Sequence, residues 1–390
     1  MLSATAALAA ILVPIRAPSQ THSGFPIDVT AGPSPQPVMA YGQRHLLYEL
    51  HVTNFAPLPI EMTRLEIRGD GAAPLASYEG AVLADMVVPV EELSSAGSPA
   101  EDKGNRTIGA GHAVMIFLDV LLNPDLPVPR ELGHKFFLSV TPKGQPSFEK
   151  MLEGPSVAVN TNPVPVLLNP PLRGSSWVAL SSLGGKDHRR SLNAVDGRER
   201  IPQRFAIDWV RLGADGRLLR GKGKSNADYY SYGAEVIAVA DGRIADARDG
   251  IPDNGGTTER SARHITLENV FGNYLVQEVG NGRFAVYAHL QPGSLKVKAG
   301  DSVRAGETLA LLGNSGNSDG PHLHFQVVDG PSPMASEGMP YEIVSFTQRG
   351  TITDVSGVMD EGHAWQPGAS DVPSTRHNEF PINDAVVNFP

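Results

Sequence analysis

The chain has 390 residues, with 32 lysines and arginines against 42 aspartates and glutamates, so its formal net charge at pH 7 is −10. This length allows two domains, and the acidic balance argues against nucleic acid as a partner, since binding it needs a basic face. The absence of cysteine excludes a disulfide framework and a thiolate metal site, so any metal must be held by nitrogen and oxygen. Glycine (41) and proline (32) are abundant and aromatic residues make up 6%, which favours a turn-rich, mostly β chain.

The first 23 residues contain an apolar run, residues 2–15, which is too short to cross a bilayer but has the length of a signal-peptide core. No lysine or arginine precedes this run, and a frayed or buried apolar segment is the alternative interpretation. We predict that residues 1–23 are a signal peptide or apolar terminal segment. The protein is then exported (periplasmic, in the cell envelope or secreted) and has no stable membrane span.

Short apolar runs separated by turns occupy residues 24–150. In RHLLYELHVTN, the side chains of Leu46, Tyr48, Leu50 and Val52 alternate with other positions and therefore share one face of a strand. The runs HAVMIFLDVLL and KFFLSVTP indicate two more strands. We predict an antiparallel, immunoglobulin-like β-sandwich over residues 24–150, acting as an accessory domain, and a proline-rich linker over residues 151–174.

Residues 175–345 are again rich in strand-like segments, and we predict that the tail, residues 346–390, packs back on this second domain. The GNG sequence at residues 280–282 predicts a tight hairpin. Asp208 lies in AIDWV, His289 in VYAHL, and His322 and His324 in PHLHF. Alternate residues of a strand share a face, so the last two histidines can hold a metal or share a metal and a proton.

The stretch from NYLVQEVGNGRFAVYAHL to GNSGNSDGPHLHFQV resembles the core of the lysostaphin/LytM-type zinc metallopeptidases. The resemblance is closest around these motifs and extends loosely from residue 175 to residue 343. It implies an open, mostly antiparallel β-sheet (the duplicated-hybrid-motif fold), zinc in a groove, and peptidoglycan or another peptide as substrate. It also implies that Asp208 and His324 are zinc ligands and that His289 and His322 are the unliganded catalytic pair.

One ligand of that family has no counterpart at its usual place. The family carries a histidine four residues before the aspartate, in the pattern H-x-G-x-D, whereas this sequence reads RFAID with Arg204 at that position. Arginine stays protonated and cannot ligate zinc. The turn signal Asp196-Gly197 predicts a hairpin that brings His188 opposite residues 204–206, where it supplies the missing nitrogen if the register turns it toward Asp208. Alternatively, His188 is exposed and Arg204 forms a salt bridge with Asp208.

Three functions are compatible with these observations. We predict a zinc metalloendopeptidase that acts on cell-wall peptidoglycan with histidine general acid/base catalysis, because the ligand pair and both proton-transfer histidines occur together. A catalytically depleted domain that binds wall material or activates amidases is the alternative, and Arg204 favours it. The segment VKAGDSVRAGETLALLGNSG also resembles the hairpin of biotinyl and lipoyl carriers. Those carriers have a lysine at the tip of the hairpin, whereas Lys296 and Lys298 precede the turn here. We therefore interpret this last likeness as shared β architecture.

Overall fold

A computed structural model describes residues 24–71, 73–93, 106–163, 166–256 and 264–390. The predicted signal segment, residues 1–23, lies outside these residues. Among the described residues, no helix has the length and apolar character needed to cross a bilayer.

Eleven strands and one short helix come first in the described chain. They are β1 (Ile27–Ala31), β2 (Val38–Ala40), β3 (Gln43–Asn54), β4 (Ile60–Arg68), β5 (Pro74–Glu79), α1 (Gly80–Met86), β6 (Val87–Pro89), β7 (Thr107–Ile108), β8 (Ala113–Leu122), β9 (Glu131–Val140), β10 (Phe148–Glu153) and β11 (Val157–Ala158). One sheet has the order β1-β3-β8-β6 with β2 on β3, and the other has the order β10-β9-β4-β5 with β7 on β4 and β11 on β9. We call these elements the two-sheet unit.

A shared apolar core joins the two sheets. The predicted face of β3, with Leu46, Tyr48, Leu50 and Val52, packs in this core against residues of β4 and β9. The opposite face of β3 is also covered, since Leu47 belongs to the core of the second half of the chain. The central parts of β3 and of its neighbour β8 are therefore buried on both faces. The immunoglobulin-like assignment of the unit stays a prediction.

The second half of the described chain contributes the remaining strands and one more short helix. They are β12 (Leu167–Leu168), β13 (Gly174–Leu180), β14 (Asn193–Val195), β15 (Arg198–Arg200), β16 (Ile207–Arg211), β17 (Glu235–Ile237), β18 (Gly242–Arg248), β19 (Asn273–Gly280), β20 (Arg283–Leu290), β21 (Ser302–Val303), β22 (Thr308–Leu311), β23 (Leu323–Val328), β24 (Glu342–Thr351), α2 (Val355–Met359), β25 (Ser374–Glu379) and β26 (Ala385–Phe389). We call these elements the large-sheet unit.

One long sheet dominates the large-sheet unit. Its order is β12-β24-β26-β13-β16-β23-β20-β19-β18-β21, with β25 on β24, and the pairs β14-β15 and β17-β22 stand apart from it. Every pairing among the described strands is antiparallel except that of β12 with β24, so the predicted mostly β, antiparallel fold class is confirmed. The GNG hairpin is also confirmed, because Gly280 pairs with Arg283 across the two-residue turn between β19 and β20.

The segments predicted as linker and tail contain regular structure. Residues 151–174 include the second half of β10, all of β11 and all of β12, and residues 346–390 include β25 and β26. β26 lies between β24 and β13 inside the long sheet, so the end of the chain is a sheet strand and does not merely lie against the domain. The domain boundaries themselves stay predictions.

Candidate metal centre

Asp208 and His324 lie directly opposite each other on the neighbouring strands β16 and β23. Strand alternation explains why both face the same side. Ile207 and Trp209 flank Asp208 and point into the apolar core, as Leu323 and Phe325 do on either side of His324. The Nδ1 of His324 is 2.9 Å from Oδ1 of Asp208.

His289 reaches the same side of the sheet through a β-bulge at the end of β20. The register between β19 and β20 shifts between Asn273 and Leu275, which pair with Leu290 and Tyr287. His289 itself has φ of +61°, an uncommon value for a residue other than glycine. A bulge of this kind re-aims a side chain, and the His289 ring centroid lies 4.6 Å from that of His322 and 5.8 Å from that of His324.

His322 precedes β23 and is held by the turn before it. Its Nδ1 donates to the carbonyl of Gly320 at 2.8 Å and lies 3.1 Å from the Ser318 hydroxyl. Its Nε2 lies 3.4 Å from Oδ1 of Asp208. The predicted shared face of His322 and His324 therefore brings both imidazoles to one carboxylate.

His188 also reaches Asp208, but by a route other than the predicted hairpin pairing. The Asp196-Gly197 hairpin forms, yet its ladder runs only from Asn193 paired with Arg200 to the turn, and His188 lies in a separate turn over residues 187–190. Its Nε2 is 3.2 Å from Oδ2 of Asp208, and its side chain is 10% exposed. The expectation that strand register would decide its direction was wrong, because His188 lies outside the ladder.

Arg204 points away from Asp208 and toward the two-sheet unit. Its Nε and Nη2 donate to the carboxylate of Glu49 on β3 at 2.9–3.1 Å, and its Nη2 also donates to Glu337 at 3.2 Å. The alternative of an exposed His188 and an Arg204–Asp208 salt bridge is therefore wrong. Glu49 and Glu337 neutralise the buried guanidinium instead.

The imidazoles facing Asp208 each have a fixed partner on their other nitrogen. Nδ1 of His188 donates to the carbonyl of Ser181 at 3.1 Å. Nε2 of His324 lies 2.8 Å from Oε1 of Gln326, whose Nε2 donates to the carbonyl of Pro333 at 3.1 Å. Because that second bond orients the amide, Gln326 presents an acceptor to His324 and fixes its tautomer. The nitrogens that face Asp208 thus carry lone pairs whenever these rings are neutral.

This donor set fits a zinc ion. Within the part of the chain that the structure describes, His188, Asp208 and His324 each offer one ligand atom, and these atoms all lie within 4.8 Å of one another. Donors bound at about 2.0–2.2 Å to a tetrahedral zinc lie about 3.3–3.6 Å apart. Two imidazoles and a carboxylate, each imidazole oriented by an acceptor on its other nitrogen, make up a typical zinc ligand set.

The electrostatics divide the four histidines into two pairs. Burial lowers the pKa of His289 well below its ordinary value, and His322 and His324 lower it further. Burial likewise lowers the pKa of His324, although the adjacent carboxylate of Asp208 opposes this. Burial acts in the same direction on His188 and His322, but the carboxylate of Asp208 outweighs it and the pKa of both is raised. Burial acts to raise the pKa of Asp208, yet His188 and His322 outweigh it and hold that pKa well below its usual range.

The sequence interpretation did not include the residues that orient these side chains. Gln326 follows His324 by two positions on β23, so strand alternation alone could have put it on the same face. The Ser315 carbonyl, which accepts from Nδ1 of His289 at 2.7 Å, has no comparable signal in the sequence. A backbone acceptor can be supplied by any residue type.

Comparison with known proteins finds a family whose sequence model matches part of the chain. Residues 227–335 match the sequence model of peptidase family M23. This range contains His289, His322 and His324, whereas His188 and Asp208 precede it.

The similar relatives match over short segments. The chain is 40% identical over 96 residues to an uncharacterized metalloprotease of Haemophilus influenzae, which covers 25% of this chain and 16% of that protein. It is 40% identical over 57 residues to the peptidoglycan DD-endopeptidase ShyA of Vibrio cholerae (15% and 13%). It is 34% identical over 99 residues to the murein hydrolase activator EnvC of Escherichia coli (25% and 18%). The matched segments therefore span less than one fifth of each relative.

Solved structures similar to the chain include the catalytic domain of the M23 protein EnpA from Enterococcus faecalis, at 19% identity and a TM-score of 0.26, covering 43% of this chain and 92% of that one. The catalytic domain of lysostaphin from Staphylococcus simulans matches at 22% identity and a TM-score of 0.21, covering 33% and 88%. Residues 227–335 of this chain are therefore similar in sequence to peptidase family M23.

Proposed function

We propose that this protein is a zinc-dependent endopeptidase that hydrolyses peptide bonds in bacterial peptidoglycan. The observation that supports it most directly is the convergence of ring nitrogens from His188 and His324 on the carboxylate of Asp208. Two further histidines, His289 and His322, lie beside this group and are not proposed as ligands, so they can take part in proton transfer.

His188, Asp208 and His324 would hold the zinc, and three protein ligands leave a position open for water or substrate. When bound, zinc supplies Lewis acidity, which lowers the pKa of a water molecule to about 7 and polarises a substrate carbonyl. The chain contributes the fixed orientation of the donors, through the Ser181 carbonyl and the Gln326 amide.

His289 is suited to accept a proton. Its Nδ1–H donates to the Ser315 carbonyl, so its Nε2 carries the lone pair, and burial keeps the ring neutral because it lowers the pKa. His322 lies beside His289, and its Nδ1–H donates to the Gly320 carbonyl, so its Nε2 can donate a hydrogen bond only when the ring is protonated. A neutral base can take the proton of water and return it to the leaving amine, while a protonated imidazole beside it stabilises the oxyanion.

A non-hydrolytic activator of other wall enzymes is the second candidate. Arg204 favours it, because it occupies the position at which the resemblance expects a ligand, and one similar relative is named as a murein hydrolase activator. The convergence of His188 on Asp208 favours the enzyme. Zinc content and hydrolysis of purified peptidoglycan distinguish the two.

We also propose that the protein is exported to the periplasm, the cell envelope or the exterior, because its proposed substrate lies outside the cytoplasmic membrane. The similar proteins named as a peptidoglycan endopeptidase and a murein hydrolase activator support this proposal. Fractionation of the producing cells tests it, with the protein expected in the envelope or the medium and contradicted by a purely cytoplasmic location.

Elemental analysis after zinc loading and dialysis tests the metal centre. We expect about one zinc per chain in the wild type, and clearly substoichiometric zinc in His188→Ala and in His324→Ala. His112→Ala is the control, since His112 forms a comparable pair with Glu91 at 3.1 Å in the two-sheet unit. Wild-type protein that retains no zinc contradicts the enzyme proposal.

Hydrolysis is tested by the release of new amino termini from purified peptidoglycan. We expect His289→Ala and His322→Ala to keep their zinc and to lose about 10²–10⁴-fold in rate, the usual contribution of general acid–base catalysis. Zinc-loaded wild-type protein that releases no amino termini, but stimulates a separate wall hydrolase, supports the activator candidate instead.

A further inference from the structure

Residues 181–206, which we call the ligand loop, connect β13 to β16 and carry His188. Their regular structure is limited to the short hairpin of β14 and β15. A metal ligand must be held within about 0.5 Å of its working position, and a long connection with so little secondary structure needs other contacts to achieve that. Those contacts come largely from the two-sheet unit.

The part of the ligand loop next to His188 is fixed to β8 and to the end of α1. Nη2 of Arg189 donates to the carbonyl of Leu118 on β8 at 2.9 Å, and the Arg189 side chain is buried. Nη2 of Arg190 donates to the carbonyl of Asp85, whose carboxylate also contacts Nζ of Lys186. Lys186 on one side of His188 and Arg189 and Arg190 on the other are therefore bound to the two-sheet unit.

The middle of the ligand loop packs on the same surface. Leu192 and Ile201 lie on either side of the hairpin and are buried in one apolar cluster with Val88, Leu93, Met115 and Phe117. Met115 and Phe117 belong to β8, on the face opposite the unit's own core. Glu199 lies 3.0 Å from Nδ1 of His51 on β3.

The end of the ligand loop is held by the most deeply buried ion pair of the interface. The Arg204 guanidinium donates through Nε and Nη2 to Glu49, whose side chain is 2% exposed. Its Nη1 donates to the carbonyl of Gly338 at 3.2 Å. A guanidinium that donates to one carboxylate through two nitrogens fixes both the separation and the relative orientation of the two groups.

We propose that the two-sheet unit is required for the metal centre, because it positions His188 by holding the ligand loop in place. Glu49 and Arg204 act as positioning residues. This inference rests on the proposed zinc-peptidase function. The arginine that occupies the expected ligand position thereby anchors the loop that carries the substitute ligand. Zinc affinity then depends on residues of the other unit that never touch the metal.

Local bonds within the ligand loop offer a competing explanation. The amide of Arg190 donates to the carbonyl of Lys186 at 3.0 Å, and that of Ser191 donates to the carbonyl of His188 at 3.2 Å. If this single turn were sufficient to hold His188, changes in the two-sheet unit would leave zinc binding unaltered. The two explanations therefore predict different zinc affinities for a variant of Glu49.

The test measures zinc affinity of the full chain by chelator competition, together with the visible absorption spectrum of the cobalt-loaded protein. We expect Glu49→Gln to weaken zinc binding about 10- to 100-fold, the usual effect of losing a group that orients a ligand, and to alter the cobalt spectrum. Tyr48→Phe is the matched control, since Tyr48 precedes Glu49 on β3 but bonds His134 inside the two-sheet unit. We expect its zinc affinity and cobalt spectrum to match those of the wild type.

A second variant keeps the test decisive if Glu49→Gln does not fold, because an unpaired buried guanidinium is costly. Glu49→Met/Arg204→Met removes both charges at once, and circular dichroism checks that it is folded. We expect it to fold and still to bind zinc at least about tenfold more weakly than the wild type. Folded variants with wild-type affinity and an unchanged cobalt spectrum overturn this inference alone, whereas a wild type that binds no zinc overturns the proposed function as well.

Discussion

Three imidazoles direct a ring nitrogen at the carboxylate of Asp208, from His188, His322 and His324. The case of His324 is the sharpest. Its Nε2–H is committed to Gln326, and burial lowers the pKa of the ring, so the neutral ring presents a lone pair to a carboxylate oxygen 2.9 Å away. Two lone pairs at that distance repel each other unless a proton or a metal ion is shared between them, and a metal ion does so without protonating the ring.

The tautomer of His324 depends on Gln326, so we predict that Gln326→Leu weakens zinc binding about 10- to 100-fold. Leucine removes the acceptor for Nε2–H at similar volume, and the proton is then free to occupy Nδ1, where it blocks the ligand position. Zinc affinity measured by chelator competition checks this prediction.

Gln277→Leu is the matched control for Gln326→Leu. Gln277 is also fully buried, accepts from the Tyr287 hydroxyl at 2.6 Å and donates to the Ala240 carbonyl, but it lies on the other face of the sheet. We expect it to lower stability without changing zinc affinity. Equal zinc affinities in both variants would contradict the role assigned to Gln326.

Sequence reasoning at this scale succeeded where a motif and a strand period coincided. The motifs VYAHL and PHLHF and the aspartate in AIDWV identified His289, His322, His324 and Asp208 as one group, and the structure brings them together. His188 was identified only as a candidate, because its position depends on tertiary contacts of the ligand loop. Its proposed role as a ligand stays a prediction.

At the scale of elements, two backbone segments cross closely beside His289. The turn at Ser315 and Gly316 lies against Gly272, so a Cβ on Gly316 would lie 2.3 Å from the amide nitrogen of Gly272. The same turn supplies the Ser315 carbonyl to His289. Glycine at residue 316 also has φ of +77°, so that position favours glycine for two independent reasons.

We predict that Gly316→Ala destabilises the protein by about 2–5 kcal/mol, the sum of a left-handed backbone penalty and an overpacking penalty. Gly282→Ala is the control, because Gly282 has φ of +67° but open space around its Cβ position, and it should cost only about 1–2 kcal/mol. Denaturant unfolding checks both values. Equal losses of unfolding free energy in the two variants would show that the two crossing backbone segments can move apart.

The hairpin at Asp196-Gly197 shows which part of a hairpin the turn residues alone can predict. The turn forms at the predicted residues, with φ of +52° and +74°, because asparagine- or aspartate-glycine pairs suit this backbone. The ladder nevertheless stops at Asn193 and Arg200. The amide of Leu192 bonds to the Arg190 carbonyl, and the backbone of Ile201 bonds to Glu337 and Gly338, while the side chains of Leu192 and Ile201 pack on the two-sheet unit. A turn signal predicts the turn itself, but the length of the ladder depends on long-range contacts.

Asp384, in the turn before β26, provides a test of the contact between the chain end and the ligand loop. Burial raises its pKa to about 6, with a further contribution from Asp187. Because the folded pKa lies above the unfolded value of about 3.9, the protonated form stabilises the fold below about pH 4, and this contribution is lost as the pH rises through about 6. The ionised carboxylate therefore destabilises the fold at neutral pH.

We predict that Asp384→Asn raises the thermal midpoint at pH 7.5 and leaves it unchanged at pH 3.5. Asparagine keeps the shape and tolerates the left-handed backbone of this position, which has φ of +61°. Thermal unfolding at the two pH values checks the prediction. The same rise at both pH values would point to a backbone effect and contradict the electrostatic explanation.

At the scale of the whole molecule, the neighbouring strands β3 and β8 are covered on both faces. The run VMIFL in β8 gave a sequence signal for this, since a strand buried on both faces is continuously apolar and does not alternate. The partner of the second face could not be predicted. Glu49 and Arg204 are 155 residues apart, and a buried glutamate in a strand does not indicate which distant arginine neutralises it.

If the two-sheet unit positions His188, then zinc binding must in turn stabilise the interface, because coupling between two sites is reciprocal. We predict that zinc slows hydrogen exchange in the ligand loop and also in β3 around Glu49 and in β8 around Leu118. Hydrogen exchange followed by mass spectrometry, with and without zinc, checks this prediction. β10 is the internal control, since it lies at the far edge of the other sheet and should exchange equally in both conditions.

The distribution of this protection distinguishes coupling from simple ligand stabilisation. Zinc that stabilises only the large-sheet unit would protect residues 188, 208 and 322–326 and leave β3 and β8 unchanged. Zinc that acts through the ligand loop must also restrict openings of the contacts of Arg189 and Arg204, because both residues follow His188 on the same connection. Protection that stops at the ligand loop would therefore mean that the two-sheet unit is attached to the metal centre without positioning it.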